Sequence, residues 1–174
     1  MQHFPIFLAV TGRRIVVSGG GDAAMAKLRL LMKTEGRITV LAENAADDVH
    51  KWAAQGKLTL IPRAMDRGDA ICAALFYGAN EDAAEDARTA QIAASEGALV
   101  NIVDNLADSQ FITPAIVDRY PVPIAIRTPG SAPVCARTRT PAPDEKHPGT
   151  LRHPAPVGKP CPHPAHACPS MRTL

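Results

Sequence analysis

Three consecutive glycines stand between a β-branched run and a helical pattern near the start of the chain. The run Arg14–Ser18 predicts a strand, and the letters GGGDAA that follow it fit the pattern G-x-G-x-x-A. In such a turn Gly19 allows a tight bend, Gly21 lets a phosphate approach the backbone, and Ala24 lets the helix pack closely on the strand. The turn is therefore typical of a pyrophosphate site at a helix N-terminus, and the alternative is a glycine-rich turn in another α/β protein.

A carboxylate that could bind a ribose follows the second predicted strand. Glu43 stands 22 residues after Gly21, close to the ~20 residues expected for the acid that accepts hydrogen bonds from the adenosine ribose. No arginine follows that strand to hold a 2′-phosphate, so the sequence favours NAD over NADP. The alternative, that Glu43 is a solvated loop acid, stays open at this point.

A second carboxylate, Asp104, follows the strand predicted over residues 98–103. Ligands of α/β sheets bind outside the carboxyl ends of the strands, which is where this side chain is expected. A carboxylate beside a substrate can accept the proton released when a hydride leaves, and it can also steer a hard cation. The alternative is that Asp104 caps the next segment or accepts backbone N–H groups.

The elements that position these residues alternate along the first two thirds of the chain. Helical patterns cover residues 22–35, 45–55 and 81–96, and apolar runs that predict strands cover residues 14–18, 37–42, 58–61, 70–77 and 98–103. Strands and helices that alternate with short connections predict a Rossmann-type parallel sheet with helices on both faces. The continuous apolar runs are typical of strands that are buried on both sides.

The pattern changes after the Rossmann-type domain, which we assign to residues 1–113. Two extended segments, residues 111–118 and 122–127, flank Tyr120 and Pro121 and predict a β hairpin, which opens a dimerisation and substrate-cleft segment over residues 114–137. Eleven of the sixteen prolines lie in residues 129–174. Because proline at that density cannot sustain a helix or a central strand, residues 138–174 are predicted to be a degenerate or disordered tail.

The composition argues against several classes of protein and of partner. A formal net charge of +2 argues against a large surface that tracks nucleic acid phosphates. No apolar run approaches the ~20 residues of a membrane span, and we expect no signal peptide, hence a cytoplasmic protein. Cys72 lies in an apolar run and is expected to be a buried free thiol.

Five segments then resemble a known family in order and spacing: HFPIF, SGGGDAAMAK, RITVLAE, NIVDN and FITPAIVDR. The resemblance is to the precorrin-2 dehydrogenase and sirohydrochlorin ferrochelatase part of siroheme synthase, over residues 1–137. It implies a homodimer that oxidises precorrin-2 to sirohydrochlorin with NAD and then inserts ferrous iron, a substrate, to give siroheme. It also implies that Asp104 is the aspartate essential for both reactions, and that the dinucleotide contacts Asp22, Ala23, Glu43 and Asn44 in addition to Gly19, Gly20, Gly21 and Ala24.

The resemblance continues through residues 126–137 and then stops. Thr128, Ser131 and Arg137 match the family segment that borders the substrate cleft, where Arg137 could meet a tetrapyrrole carboxylate. Capping and surface charge are equally open roles for these residues. Beyond Arg137, a C-x-H-x-x-H-x-C array has ligand types that zinc accepts but matches no common zinc spacing, so no metal site is predicted. Its members are Cys161, His163, His166 and Cys168.

Three functional hypotheses follow. The first is the NAD-dependent enzyme of siroheme synthesis. The second is a regulatory module that binds NAD without chemistry, which would need the glycine turn and Glu43 but not Asp104 or FITPAIVDR. The third is an inactive remnant of the enzyme, suggested by the proline-rich tail. The presence of Asp104 and FITPAIVDR favours the enzyme.

Overall fold

The computed structural model describes residues 3–119 and 122–126 of the 174 residues. The chain divides between Thr113 and Pro114 into two units. Within residues 3–119 and 122–126 no helix is long and apolar enough to cross a membrane. The first unit contains, in chain order, β1 (Arg14–Ser18), α1 (Asp22–Leu31), β2 (Arg37–Leu41), α2 (Asp47–Ala54), β3 (Thr59–Ile61), α3 (Arg67–Ala70), β4 (Ala73–Gly78), α4 (Ala83–Ser95) and β5 (Leu99–Ile102).

The five strands form one parallel sheet in the order β3-β2-β1-β4-β5. From β1 the chain first moves outward through β2 to β3, and then returns to place β4 and β5 on the other side of β1. The direction of winding therefore reverses between β1 and β4. In open α/β sheets the crevice at such a switch point, outside the carboxyl ends of the strands, is where ligands bind. The predicted Rossmann-type sheet is confirmed.

The core lies in two layers, one on each face of the sheet. Ile15 and Val17 of β1 pack with Leu28 of α1 on one face, and Val16 packs with Phe76 of β4 on the other. Successive strand residues point to opposite faces, so a strand made of apolar residues throughout must be covered twice. Residues of α1 and α2 belong to the first layer and residues of α3 and α4 to the second, which confirms the predicted helices on both faces.

Helix α1 is shorter than the sequence predicts, because it ends at Leu31 and not at residue 35. The Thr34 hydroxyl donates to the Leu31 carbonyl at 2.7 Å, and Gly36 N–H donates weakly to the Thr34 hydroxyl at 3.4 Å. Such local side-chain hydrogen bonds compete with the backbone bonds that would extend the helix. The spacing of apolar residues does not reveal this competition.

The strand predicted over residues 70–77 is wrong at its start. A short helix, α3, ends at Ala70, and β4 begins only at Ala73. Asp66 and Asp69 form a reciprocal capping box at α3, and Arg63 holds the Asp69 carboxylate at 2.7 and 2.9 Å. Cys72, predicted to be buried, is exposed at a turn with a φ of 59°. A short apolar run does not distinguish a strand from a buried helical turn.

The described part of the second unit is an antiparallel hairpin of β6 (Ala115–Arg119) and β7 (Val122–Ile126). Ala115 pairs with Ile126 and Arg119 with Val122, so the predicted hairpin is confirmed, although its first strand begins at Ala115 and not at residue 111. The predicted turn at Tyr120 and Pro121, most of the segment 114–137 and all of the segment 138–174 lie outside the described residues. Their proposed roles stay predictions.

The buried side of β4 makes a prediction about stability. Phe76 is 0% exposed and Phe7 is 82% exposed. Phe76→Ala should lower the free energy of unfolding by about 3–5 kcal/mol, because it removes a core ring and leaves a cavity. Phe7→Ala should change it by less than about 0.5 kcal/mol. Urea denaturation of both variants measures the difference, and equal effects would contradict the two-layer core.

Candidate functional site

The glycine turn after β1 is held between the ends of two neighbouring strands. Gly19 N–H donates to the Leu41 carbonyl of β2 at 2.8 Å, and Ala79 N–H donates to the Ser18 carbonyl at 2.8 Å. Gly19 has a φ of +115°, and a Cβ there would lie 2.0 Å from the Ala79 carbonyl oxygen. Only glycine fits both the backbone conformation and this approach to β4.

The second glycine fastens the loop after β2 against the turn. The Gly20 carbonyl accepts a bond of 3.0 Å from Ala46 N–H, and a Cβ on Gly20 would lie 2.8 Å from the Ala45 α-carbon. Glu43 and Asn44 are on this loop, and both are exposed. The structure thus brings the loop of the two predicted ribose-binding residues next to the glycine turn, with side chains accessible to a ligand.

The third glycine leaves the N-terminus of α1 open, and a carboxylate stands in that space. Gly21 is the N-cap of α1 and offers no side chain to the free backbone N–H groups. A Cβ on Gly21 would lie 2.5 Å from Glu81 Oε1, and Ala23 N–H donates to the same oxygen at 3.4 Å. Asp22 is exposed, whereas Ala24 is fully buried in the core. A cradle that admits one anion at a helix N-terminus fits the phosphate chemistry expected of this turn.

Glu81 belongs to the loop between β4 and α4, which is anchored on both sides of it. The Ser18 hydroxyl donates to Asn80 Oδ1 at 3.0 Å, and the Asn80 side-chain amide donates to Asp86 Oδ1 at 2.8 Å. Asp82 caps α4 by accepting from Ala84 N–H at 2.8 Å. The helix predicted over residues 81–96 is wrong at its start, because α4 begins at Ala83 and Glu81 belongs to this loop. Asn80 and Glu81 are polar residues directly after an apolar strand, which is the signal that could have revealed the loop.

Asp104 lies at the carboxyl end of β5, two strands away from the glycine turn. It is the third residue of a turn closed by a bond of 3.2 Å from Asn105 N–H to the Ile102 carbonyl, and its φ is 60°. Aspartate is one of the few side chains that tolerate this left-handed conformation. The side chain is exposed, and no residue over 3–116, the range whose side chains are described without a gap, donates a hydrogen bond to its carboxylate. This arrangement gives no support to the capping alternative.

The loop that follows Asp104 folds back on β5 and is capped by other residues. Asn105 Oδ1 accepts from Ala107 N–H at 3.1 Å, which is the role considered for Asp104. The Ser109 hydroxyl donates to the Asn105 carbonyl at 2.6 Å and accepts from Ile102 N–H at 2.9 Å. These bonds fix the backbone on both sides of Asp104, while its side chain stays exposed.

Lys27 links the helix of the glycine turn to Asp104 electrostatically. Burial lowers the pKa of the Lys27 ammonium group, and the negative charge of Asp104 partly opposes that shift. Lys27 lies on α1, one turn after Ala24, and is half-buried. Lys27 was not predicted as a site residue, because a lysine off the apolar stripe of a helix is ordinarily a solvated surface residue.

Three predicted substrate residues, Thr128, Ser131 and Arg137, lie outside the described residues, as does the C-x-H-x-x-H-x-C array. Nothing in the structure therefore tests them. Among the residues that are described, no group of three or more His, Cys, Asp or Glu side chains could hold a metal ion.

The first and third glycines should differ sharply as sites of substitution. Gly19→Ala should lower the free energy of unfolding by at least about 2 kcal/mol, because a Cβ would meet backbone atoms at a positive φ. Gly21→Ala should lower it by less than about 1 kcal/mol, because its Cβ meets only the end of the flexible Glu81 side chain. Urea denaturation distinguishes the two, and a Gly19→Ala variant as stable as the native chain would refute the packing at Ala79.

Comparison with known proteins agrees with this geometry. A family model described as "Putative NAD(P)-binding" matches residues 6–115. A siroheme synthase of Pseudoalteromonas atlantica is 40% identical over 137 residues, which are 79% of this chain and 30% of that protein. A siroheme synthase of Gluconacetobacter diazotrophicus is 41% identical over 138 residues, which are 77% of this chain and 29% of that protein. The chain thus spans about 30% of the length of the siroheme synthases it matches.

A solved structure named SirC, precorrin-2 dehydrogenase, has the same fold. The two structures superpose with a TM-score of 0.66 and are 23% identical in sequence. The matched part covers 78% of this chain and 67% of the chain of the solved structure. The family model spans both the glycine turn and Asp104. The resemblance to the N-terminal part of siroheme synthase is confirmed, and the chain belongs to the NAD(P)-binding family whose model matches residues 6–115.

Proposed function

We propose that this chain binds NAD and oxidises precorrin-2 to sirohydrochlorin, and that it then assists ferrous iron insertion to give siroheme. The observation that carries the proposal is the common position of the glycine turn and Asp104, both at the carboxyl edge of one parallel sheet. The names of the relatives, siroheme synthase, and of the solved structure, precorrin-2 dehydrogenase, support the choice of substrate.

The N-terminus of α1 and the loop after β2 would hold the dinucleotide. The backbone N–H groups of Asp22 and Ala23 suit the pyrophosphate, because the helix dipole and Gly21 favour an anion there. Glu43 and Asn44 suit the adenosine ribose. When bound, NAD supplies a hydride acceptor. The loop over residues 42–46 carries no basic side chain for a 2′-phosphate, which supports NAD over NADP.

Asp104 would act as the proton acceptor. Oxidation of precorrin-2 removes a hydride and a proton, and an accessible carboxylate with free lone pairs can take that proton. Iron insertion releases two pyrrole protons, and the same carboxylate can accept them in turn. Lys27 contributes a positive charge in the electrostatic environment of Asp104, which favours an approach by the carboxylates of a tetrapyrrole.

From the resemblance to the N-terminal part of siroheme synthase we also propose that the chain is a homodimer and that Thr128, Ser131 and Arg137 border the substrate.

Removing the Asp104 carboxylate should abolish turnover without unfolding the chain. Under anaerobic conditions the native chain should form NADH and sirohydrochlorin from precorrin-2 and NAD, and Asp104→Asn should lower kcat by about 100-fold or more. Asparagine also tolerates the left-handed backbone, so the fold should persist. Asp108→Asn, an exposed acid on the same loop, is the matched control and should stay within about twofold of native kcat.

The outcomes separate the competing functions. Turnover by the native chain and its loss in Asp104→Asn support the enzyme. Binding of NAD without turnover would contradict the enzyme and favour an NAD-binding module without chemistry. Addition of ferrous iron to the sirohydrochlorin product, followed by the siroheme absorption spectrum, tests the second step with the same variants.

Cofactor preference gives a further prediction. The native chain should bind NAD at least about tenfold more tightly than NADP, and Glu43→Ala should weaken NAD binding by about tenfold because a charged acceptor for the ribose is lost. Glu35→Ala removes an exposed glutamate beyond the other end of α1 and should leave both affinities unchanged. Isothermal titration calorimetry measures them, and an unchanged affinity in Glu43→Ala would remove Glu43 from the site.

A further inference from the structure

Glu81 occupies the space at the glycine turn that a phosphate would need. Its Oε1 accepts a hydrogen bond from Ala23 N–H at 3.4 Å. A Cβ added to Gly21 would lie 2.5 Å from the same oxygen. We propose that Glu81 caps the N-terminus of α1 while no dinucleotide is bound, and that it sets the affinity for NAD because its carboxylate must leave before the pyrophosphate enters. This inference rests on the NAD binding proposed above.

The carboxylate and a pyrophosphate cannot share this position. Both are anions that seek the same free N–H groups and the same positive end of the helix dipole. Gly21 gives a phosphate room to approach the backbone, yet in this structure that room contains the Glu81 oxygen. Entry of the pyrophosphate must therefore break the bond between Glu81 and Ala23 and move the charge away.

The moving part is the side chain, since the backbone on both sides of Glu81 is fixed. Asn80 N–H donates to Asp86 Oδ1 at 3.1 Å, and the Asn80 carbonyl oxygen of the side chain accepts from the Ser18 hydroxyl. Asp82 is bonded to Ala84 N–H as the cap of α4. Between these anchors the backbone of Glu81 is held at a φ of 59°. Residues other than glycine adopt this backbone conformation only when their surroundings impose it. The exposed, flexible arm of Glu81 can still rotate outward.

The size of the effect follows from the competition. A chain whose binding-competent form is only partly populated shows a dissociation constant raised by the reciprocal of that fraction. Anions at exposed helix N-termini have modest stabilising effects, so removal of the Glu81 carboxylate should tighten NAD binding about two- to fivefold. Glutamine would keep the size and an acceptor oxygen but lose the charge, so Glu81→Gln should lie between native and Glu81→Ala.

The test is isothermal titration calorimetry of the full chain with NAD, in native, Glu81→Gln, Glu81→Ala and Glu35→Ala forms. The dissociation constant should fall in the order native, Glu81→Gln, Glu81→Ala, and Glu35→Ala should match native because it removes an equal charge remote from the turn. An unchanged or larger dissociation constant in Glu81→Ala would overturn the proposal.

A second measurement keeps this test separate from the proposed function. Amide hydrogen exchange at Ala23, measured without NAD, should be faster in Glu81→Ala than in the native chain, because the acceptor of its N–H is gone. If neither the native chain nor Glu81→Ala binds NAD, the proposed function fails. The exchange rate of the Ala23 amide then decides by itself whether Glu81 caps α1. Equal exchange rates would overturn the capping itself.

Discussion

The approach of the glycine turn to the end of β4 is the constraint on which the site depends. A Cβ on Gly19 would lie 2.0 Å from the Ala79 carbonyl oxygen, so the bare α-carbon of Gly19 is what lets the two strand ends meet. This contact brings the N-terminus of α1 beside the loop that carries Asn80 and Glu81. Gly20 makes the corresponding approach to Ala45 on the other side. The three glycines thus bring together loops from three strands.

Charge at this edge of the sheet is arranged around the helix dipole of α1. Glu43, Glu81 and Asp104 follow β2, β4 and β5 respectively, and Lys27 comes from α1 itself. Glu81 contacts the turn through Ala23 N–H, whereas Asp104 lies farther along the edge and is exposed. In the proposals made above, Glu81 competes with a bound anion and Asp104 accepts protons.

Much of this arrangement could be predicted from the sequence, for definite physical reasons. The glycine turn has one steric solution, and strands buried on both faces leave a clear apolar signal, so the sheet and the position of Asp104 were predictable. The end of α1, the short helix before β4 and the exposure of Cys72 were not, because they depend on local bonds such as those of Thr34 and Asp66. Glu81 had a signal in its place directly after an apolar strand, but its contact with Ala23 joins distant segments, as does the effect of Asp104 on Lys27, and such pairings were not predictable.

The proposed function requires that the glycine turn and Asp104 belong to one site. A crystal structure of the full chain with NAD tests it most directly. We expect that the pyrophosphate contacts the N–H groups of Asp22 and Ala23, that Glu81 has turned away, and that the nicotinamide ring lies on the side of the crevice that carries Asp104. A nicotinamide ring that points away from Asp104, toward β3, would contradict the claim.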